Sequence, residues 1–179
     1  DAVTAAWVAT GGEPSLEASV EASKRQVLDQ LLQPELNRLH RAAIAALPDQ
    51  SPDQVRQALT ELLVDLHVYR AYVQPGRPVQ NELVAPLNEA LEGVRRHRPD
   101  LTVTASALVE ILLRPESAPG DQDAAADLCV RFQQTTGPVM AKGIEDTTFY
   151  RWHRLTALNE VGFDPISGET TGACTSSTC

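Results

Sequence analysis

The sequence predicts a mainly α-helical protein, and three observations support this. Apolar residues recur at spacings of three and four through residues 15–134, as they do along the buried face of a helix. Helix-start signals precede several of these runs. No stretch of 15–134 shows the apolar–polar alternation of a half-buried strand. About six helices are therefore expected in this region, and no internal repeat is visible.

The clearest helix starts are marked by hydroxyl and proline residues. Ser15 can cap a helix that begins at Leu16, and Pro34 fits the first turn of a second helix. Ser51, Pro52 and Gln54 supply an N-cap, a first-turn proline and a capping-box partner for a third. The predicted core face of the helices consists of Leu16, Val20, Val27, Leu31, Leu36, Leu39, Ala43, Leu47, Val55, Leu59, Leu62, Leu66, Leu83, Leu87, Leu91, Val94, Leu108, Ile111, Leu112, Leu128, Cys129 and Phe132.

Composition and charge exclude several classes of function. The net charge of −9 and the pI near 4.8 argue against nucleic acid as the main partner, because phosphate binding needs a basic face. The basic run at 95–98 is better explained as a helix C-terminus that complements the helix dipole. No segment approaches the roughly 20 apolar residues of a membrane span. No basic signal-peptide segment opens the chain, although the absence of an initiator Met suggests a piece of something longer.

The three cysteines do not form a disulfide framework. Cys129 lies in a helical pattern and is expected to be a buried thiol, which makes the cytoplasm the expected compartment. Cys174 and Cys179 could pair, but no other cysteine or histidine lies near them to complete a metal site. We therefore expect no metal and no cofactor.

Residues 68–73 are unusual in combining two tyrosines and an arginine with β-branched neighbours. Tyr69 and Tyr72 could lie in a short extended piece or at the end of the preceding helix, and the prolines at 75 and 78 stop either. Together with Arg70 they could contact a sugar or a carboxylate. Alternatively, the tyrosines simply pack at a helix end.

The stretch from 131 to 165 has the highest density of chemically useful residues and holds five of the eight aromatic residues. The apolar run Val139–Ala141, bracketed by Gly137 and Gly143, predicts a short buried strand. Glu145 and Asp146 would then follow that strand, where α/β barrels place reacting groups.

Only one of two adjacent acids on an extended chain can face a given site. Lys142 could offset the charge of that acid, Gly143 could permit a tight turn, and Phe149, Tyr150 and Trp152 could offer faces for sugar rings. The residues alone equally allow a helix N-terminus, with the acids in its first turn and the aromatic residues in the core.

The run RFQQTTGPVMAKGIEDTTFYRWHRLTALNEVG at 131–162 resembles a motif of the maltooligosyltrehalose synthases, members of the α-amylase family of glycoside hydrolases. Three upstream segments also fit: KRQVL at 24–28, NRL at 37–39 and YRAYV at 69–73. The resemblance implies a (β/α)8 barrel with large helical insertions. This chain would then be a helical insertion domain, 15–134, followed by a late strand/helix segment of an incomplete barrel, 135–165. Residues 1–14 are expected to be loose, and 166–179 to be a disordered tail.

The resemblance also implies an activity and roles for individual residues. Such enzymes convert the reducing-end α-1,4 bond of a maltooligosaccharide to an α,α-1,1 bond by intramolecular transglucosylation in trehalose biosynthesis. They use an Asp nucleophile, a Glu acid/base and a second Asp that stabilises the transition state. The segment at 145–147 resembles the one that carries this second Asp, which assigns Asp146 as catalytic. The substrate-binding residues are then Lys142, Glu145, Tyr150, Arg151 and Trp152.

The departures from the family pattern imply a fragment. The segments with the nucleophile and the acid/base are missing, and Phe163 stands where the family has glycine. The chain alone is therefore expected to be inactive. Its expected partners are a maltooligosaccharide and either the rest of the parent enzyme or a second copy joined through exposed apolar faces. The alternative is a non-catalytic helical interaction module, for which a run of helices without an active site would suffice.

Overall fold

The computed structural model describes residues 5, 8–9, 11–12, 15–69, 81–151, 163–164 and 169–170. The predicted mainly α fold is confirmed within these ranges. The helices are α1 (Leu16–Gln30), α2 (Gln33–Ala46), α3 (Pro52–Asp65), α4 (Asn81–His97), α5 (Thr102–Leu113) and α6 (Gln122–Met140). A π-helix, Ala141–Thr148, continues α6 and leads into the short α7 (Phe149–Arg151). Two 3-10 turns, Pro99–Leu101 and Pro115–Ser117, flank α5.

Two very short strands complete the described elements. β1 (Phe163–Asp164) pairs antiparallel with β2 (Glu169–Thr170), with Phe163 opposite Thr170. The rest of the predicted 166–179 tail, including Cys174 and Cys179, lies outside the described residues, as do Arg70, Tyr72 and Trp152.

The helix starts follow the sequence signals with one difference. Ser15 is the N-cap of α1, and its hydroxyl accepts a hydrogen bond from the Ala18 amide at 3.2 Å. Ser51 is the N-cap of α3 and Pro52 follows it in the first turn, but the Ser51 side chain makes no capping hydrogen bond. The predicted capping box is therefore wrong, and the proline together with Asp53 marks this start.

The main core lies between α2, α3, α4, α5 and α6. α2 packs along α6, while α3 lies against α2, α4 and α5. The predicted core residues are largely confirmed, including Phe132 and the buried thiol Cys129. Leu31 is an exception: at the C-cap of α1 it is 60% exposed, because the last turn widens so that the Leu32 amide also bonds the Val27 carbonyl, and Leu32 is buried instead.

A second, smaller core holds α1 against the π-helix. It consists of Val20, Met140, Ile144 and Phe149, with Leu16 and Tyr69 packed at its edge. Because this cluster joins the first helix to the stretch with the candidate site residues, it fixes where that stretch lies.

The predicted strand at Val139–Ala141 is wrong, since α6 continues through it and the π-helix follows without a break. Helical backbone brings Met140 and Ile144 to one face, and the wider π turn adds one residue before Phe149 joins them. An extended segment would have pointed these side chains to both sides. The late strand of a barrel is therefore not formed in this part of the chain.

The predicted turn at Gly143 is also wrong, because this glycine lies buried inside the π-helix. A Cβ atom built on it would lie 2.8 Å from Cγ of Lys24 and 3.2 Å from Cα of Lys24. The glycine is thus needed for the close approach of α1.

Candidate functional site

The π-helix presents the two candidate acids to different environments. Glu145 is half-buried and accepts a hydrogen bond from the Tyr69 hydroxyl, with 2.7 Å between the oxygens. The backbone carbonyl of Tyr69 in turn accepts a hydrogen bond from the Thr136 hydroxyl at 3.3 Å. Two segments 76 residues apart are therefore joined through one tyrosine, and Glu145 is the acid that is held in place.

Asp146 lies on the exposed side of the same helix. Its carboxylate is 3.7 Å from Nζ of Lys142, one turn earlier, and both side chains are about half exposed or more, at 63% and 47%. Exposed ion pairs of this kind contribute little to stability, at about 0.3–0.5 kcal/mol. Lys142 thus offsets the charge of Asp146, as the sequence suggested, but it leaves the carboxylate accessible.

A cleft of about 140 Å³ lies beside Asp146, between the π-helix and the last turns of α1. Thr147 and Tyr150 line one side of it, and Gln26 and Gln30 line the other. Tyr150 is 73% exposed, so its ring is open to solvent. Amides, a carboxylate and an aromatic ring around one cleft are groups that can contact a polar ring-shaped ligand.

The predicted site residues are thus partly brought together. Lys142, Glu145, Asp146 and Tyr150 lie along one continuous helical segment. Arg151 is described only as part of α7, and Trp152 lies outside the described residues. No local pattern indicated Tyr69 as the partner of Glu145, although the 68–73 segment was a candidate for ligand contact.

A charged cluster at the α1–α3–α4 junction was also missed. The Arg25 guanidinium donates to both oxygens of the Glu61 carboxylate, at 2.7 and 2.6 Å. His97, at the end of α4, lies 3.4 Å from Glu61 and 3.3 Å from Asp65. The basic run at 95–98 lies at the C-terminus of α4, as predicted. Two of its four residues, His97 and Arg98, also pair with acids of α3. Such partners, distant in sequence, cannot be found from local spacing.

The cluster perturbs the ionisation of its acids in opposite directions. Burial would raise the pKa of Glu61, but the Arg25 hydrogen bonds and the nearby positive charges outweigh it, so the pKa lies below its usual value. For Asp65 burial dominates over the attraction of His97 and raises the pKa to about 6. One Asp65 oxygen, Oδ2, is buried without a hydrogen bond.

Two kinds of feature are absent from the residues that the structure describes. None of the helices described is both long and apolar enough to cross a membrane. In the same ranges, no three His, Cys, Asp or Glu side chains come together as metal ligands.

Comparison with known proteins returned both sequence and structure relatives, while no family model matched the chain. A protein of Mycobacterium tuberculosis, provisionally named maltooligosyl trehalose synthase, is 34% identical over 124 residues. The match covers 63% of this chain and 16% of that protein, and the same result holds for a second strain. This chain therefore spans about one sixth of the length of the curated relatives it matches.

A solved structure shows the same relationship. The structure of maltooligosyltrehalose synthase from Arthrobacter ramosus matches with a TM-score of 0.68 and 33% identity, over 93% of this chain and 19% of that one. A single-residue mutant of that enzyme matches equally, with 34% identity. The resemblance predicted from residues 131–162 is therefore confirmed, since the sequence relatives and the solved structures to which this chain is similar all carry the name maltooligosyltrehalose synthase.

Proposed function

We propose that the chain is a part of a maltooligosyltrehalose synthase and supplies one wall of its sugar site. The proposed reaction is the isomerisation of a reducing-end α-1,4 glucosidic bond to an α,α-1,1 bond by intramolecular transglucosylation. It takes place in the cytoplasm, as part of trehalose biosynthesis. The similarity to enzymes of this name at 33–34% identity supports the assignment.

The observation that carries the proposal is the hydrogen bond from Tyr69 to Glu145. It joins the YRAYV segment at 69–73 to the IEDT segment at 144–147, which resemble the family independently. A carboxylate fixed by a tyrosine is already oriented before a ligand arrives, which lowers the ordering cost of binding. Glu145 is thus the proposed acceptor for sugar hydroxyls, with Lys142 as a donor and Tyr150 as a stacking face.

Asp146 is proposed to stabilise the positive charge that develops on the sugar ring in the transition state. A carboxylate suits this role because the transition state of glycosyl transfer resembles an oxocarbenium ion. In the described residues its one ion pair is with Lys142, and the groups that orient it for catalysis are proposed to lie outside the described residues. The resemblance implies that the nucleophile and the acid/base belong to segments outside this chain, so the isolated chain is proposed to be inactive.

The test replaces the matching segment of the Arthrobacter ramosus enzyme with residues 15–165 of this chain. We expect the hybrid to form the α,α-1,1 bond from maltopentaose, detected by the anomeric proton signal in NMR. Asp146→Asn should then lower kcat by roughly 10³-fold. Asp127→Asn is the matched control, because Asp127 forms a comparable exposed ion pair, with Arg131.

Two results would contradict the proposal. Turnover of the Asp146→Asn hybrid within twofold of the parent hybrid would remove the role of Asp146. A hybrid that folds by circular dichroism and gel filtration, yet forms no product, would favour the alternative, a non-catalytic helical interaction module.

A further inference from the structure

The most deeply buried charged side chain of the described residues lies directly behind the candidate site. Lys24, on α1, is 0% exposed, although its neighbours Glu21 and Arg25 reach solvent. A fully buried lysine is rare because removing an ammonium group from water is strongly unfavourable. Burial of the ammonium group is therefore expected to be balanced by specific contacts that an apolar side chain could not make.

Lys24 caps the C-terminal end of α3. Its Nζ donates to the carbonyl oxygens of Val64 and Leu66, both at 2.9 Å. The last carbonyls of a helix lack intrahelical partners, and a cation there also complements the helix dipole. At Leu66 the backbone turns to an extended conformation (φ −78°, ψ 117°), and the chain leaves the helix toward Tyr69.

The same lysine also contacts the helix that carries the acids. Its Cγ, Cα and backbone N line the space that a side chain at position 143 would occupy, so Gly143 rests directly on Lys24. Glu145 follows two residues later on that helix. Lys24 thus touches both of the segments whose side chains meet in the Tyr69–Glu145 hydrogen bond.

We infer that Lys24 is the positioning residue of the candidate site: it fixes the α3 exit that presents Tyr69 and the π-helix that presents Glu145. The hydrogen bonds at Val64 and Leu66 set where the chain leaves α3, and the contact with Gly143 sets the height of the π-helix over α1. Burial also lowers the pKa of Lys24 to about 8, against the opposing charges of Asp65 and Glu21. This deepens the proposed function, because the oriented carboxylate is the one proposed to bind the sugar.

The experiment compares Lys24→Met with Arg25→Met in the full chain. In both cases methionine keeps an unbranched apolar stem and removes the charged, hydrogen-bonding end group. Arg25 is the matched control because it anchors α1 to α3 through Glu61 but is not among the atoms nearest to Gly143.

Native-state hydrogen exchange of the amides at 145–149 is measured, and each value is normalised to the global unfolding equilibrium of that variant. We expect the normalised protection to fall at least tenfold in Lys24→Met and less than twofold in Arg25→Met. Equal losses in the two variants would overturn the inference.

If Lys24→Met does not fold, a second variant tests whether Lys24 positions the π-helix. Gly143→Ala replaces the worst non-proline helix former with the best, which by itself would stabilise the helix and raise protection about fivefold. If the contact with Lys24 positions the π-helix, the added methyl group must displace that helix. Protection of the amides at 145–149 should then fall instead. Unchanged or increased protection would contradict the inference.

Maltopentaose binding separates this inference from the proposed function. NMR titration should give an affinity at least tenfold weaker for Lys24→Met than for Arg25→Met. If the wild-type chain binds no maltopentaose, the proposed function fails, while the hydrogen-exchange comparison still decides whether Lys24 positions the Tyr69–Glu145 pair.

Discussion

The hydrogen bond between Tyr69 and Glu145 allows a quantitative prediction for the removal of one atom, the hydroxyl oxygen of Tyr69. Tyr69→Phe removes the donor and leaves the ring, so the packing of this residue at the edge of the small core should persist. Hydrogen bonds to charged groups contribute about 1.5–3 kcal/mol when well formed, and partial exposure of Glu145 places this one near or below the lower limit. We therefore expect a loss of about 1–1.5 kcal/mol.

The loss should be local, because the bond ties the π-helix to a segment that follows α3. Hydrogen exchange at the amides of residues 145–149 should accelerate about tenfold, since 1.4 kcal/mol corresponds to a factor of ten. Tyr150→Phe is the matched control, because Tyr150 is 73% exposed and should show no such effect. A double-mutant cycle with Glu145→Met should return a coupling of the same 1–1.5 kcal/mol.

Two results would refute this reasoning. A coupling energy below about 0.3 kcal/mol is within the additivity of independent sites and would show that the hydrogen bond does not stabilise the site. Equal acceleration of exchange in Tyr69→Phe and Tyr150→Phe would show that the effect does not depend on the hydrogen bond between Tyr69 and Glu145.

Three further predictions concern single residues. In the isolated chain, Asp146→Asn should change the urea unfolding free energy by less than about 0.5 kcal/mol, because its ion pair with Lys142 is exposed; a larger loss would make it a structural residue. Burial raises the pKa of Asp65 from its ordinary value of 3.8 to about 6 in the folded state. The protonated carboxyl therefore stabilises the fold fully below pH 3.8, and this contribution is lost as the pH rises through 6. Asp65→Asn should therefore reduce the fall in unfolding free energy between pH 4 and pH 6, and an unchanged slope would contradict this. Burial raises the pKa of the Cys129 thiol, so labelling of Cys129 by a thiol reagent at pH 8, followed by peptide mass mapping, should require unfolding; rapid labelling in the native state would refute this.

Local sequence signals predicted most of the helical region. Residues such as Leu59 and Phe132 recur at helical spacing, and each is buried as that spacing predicts. Ser15 and Pro52 mark helix starts for reasons contained in a few neighbouring residues. Such features depend on short-range geometry, which the order of residues determines directly.

The candidate site was less predictable because its contacts cross the chain. The short apolar run between Gly137 and Gly143 suggested a buried strand, and Gly143 suggested a tight turn after it. The helix persists because Met140, Ile144 and Phe149 bury one face against Val20 of α1. The partners of Glu145, Glu61 and Lys24 lie tens of residues away, so no local pattern could identify them.

In the proposed function, the π-helix and Tyr69 form one wall of a maltooligosaccharide site, and the hydrogen bond between Tyr69 and Glu145 organises that wall. An NMR titration of the ¹⁵N-labelled chain with maltopentaose tests it most directly. We expect millimolar affinity, corresponding to about −4 kcal/mol, because one wall of the site is present. The shift changes should concentrate at Tyr69, Lys142, Glu145 and Tyr150 and should disappear in Glu145→Gln. Absence of shift changes at tens of millimolar sugar, or changes confined to the α2–α5 core helices, would contradict the account.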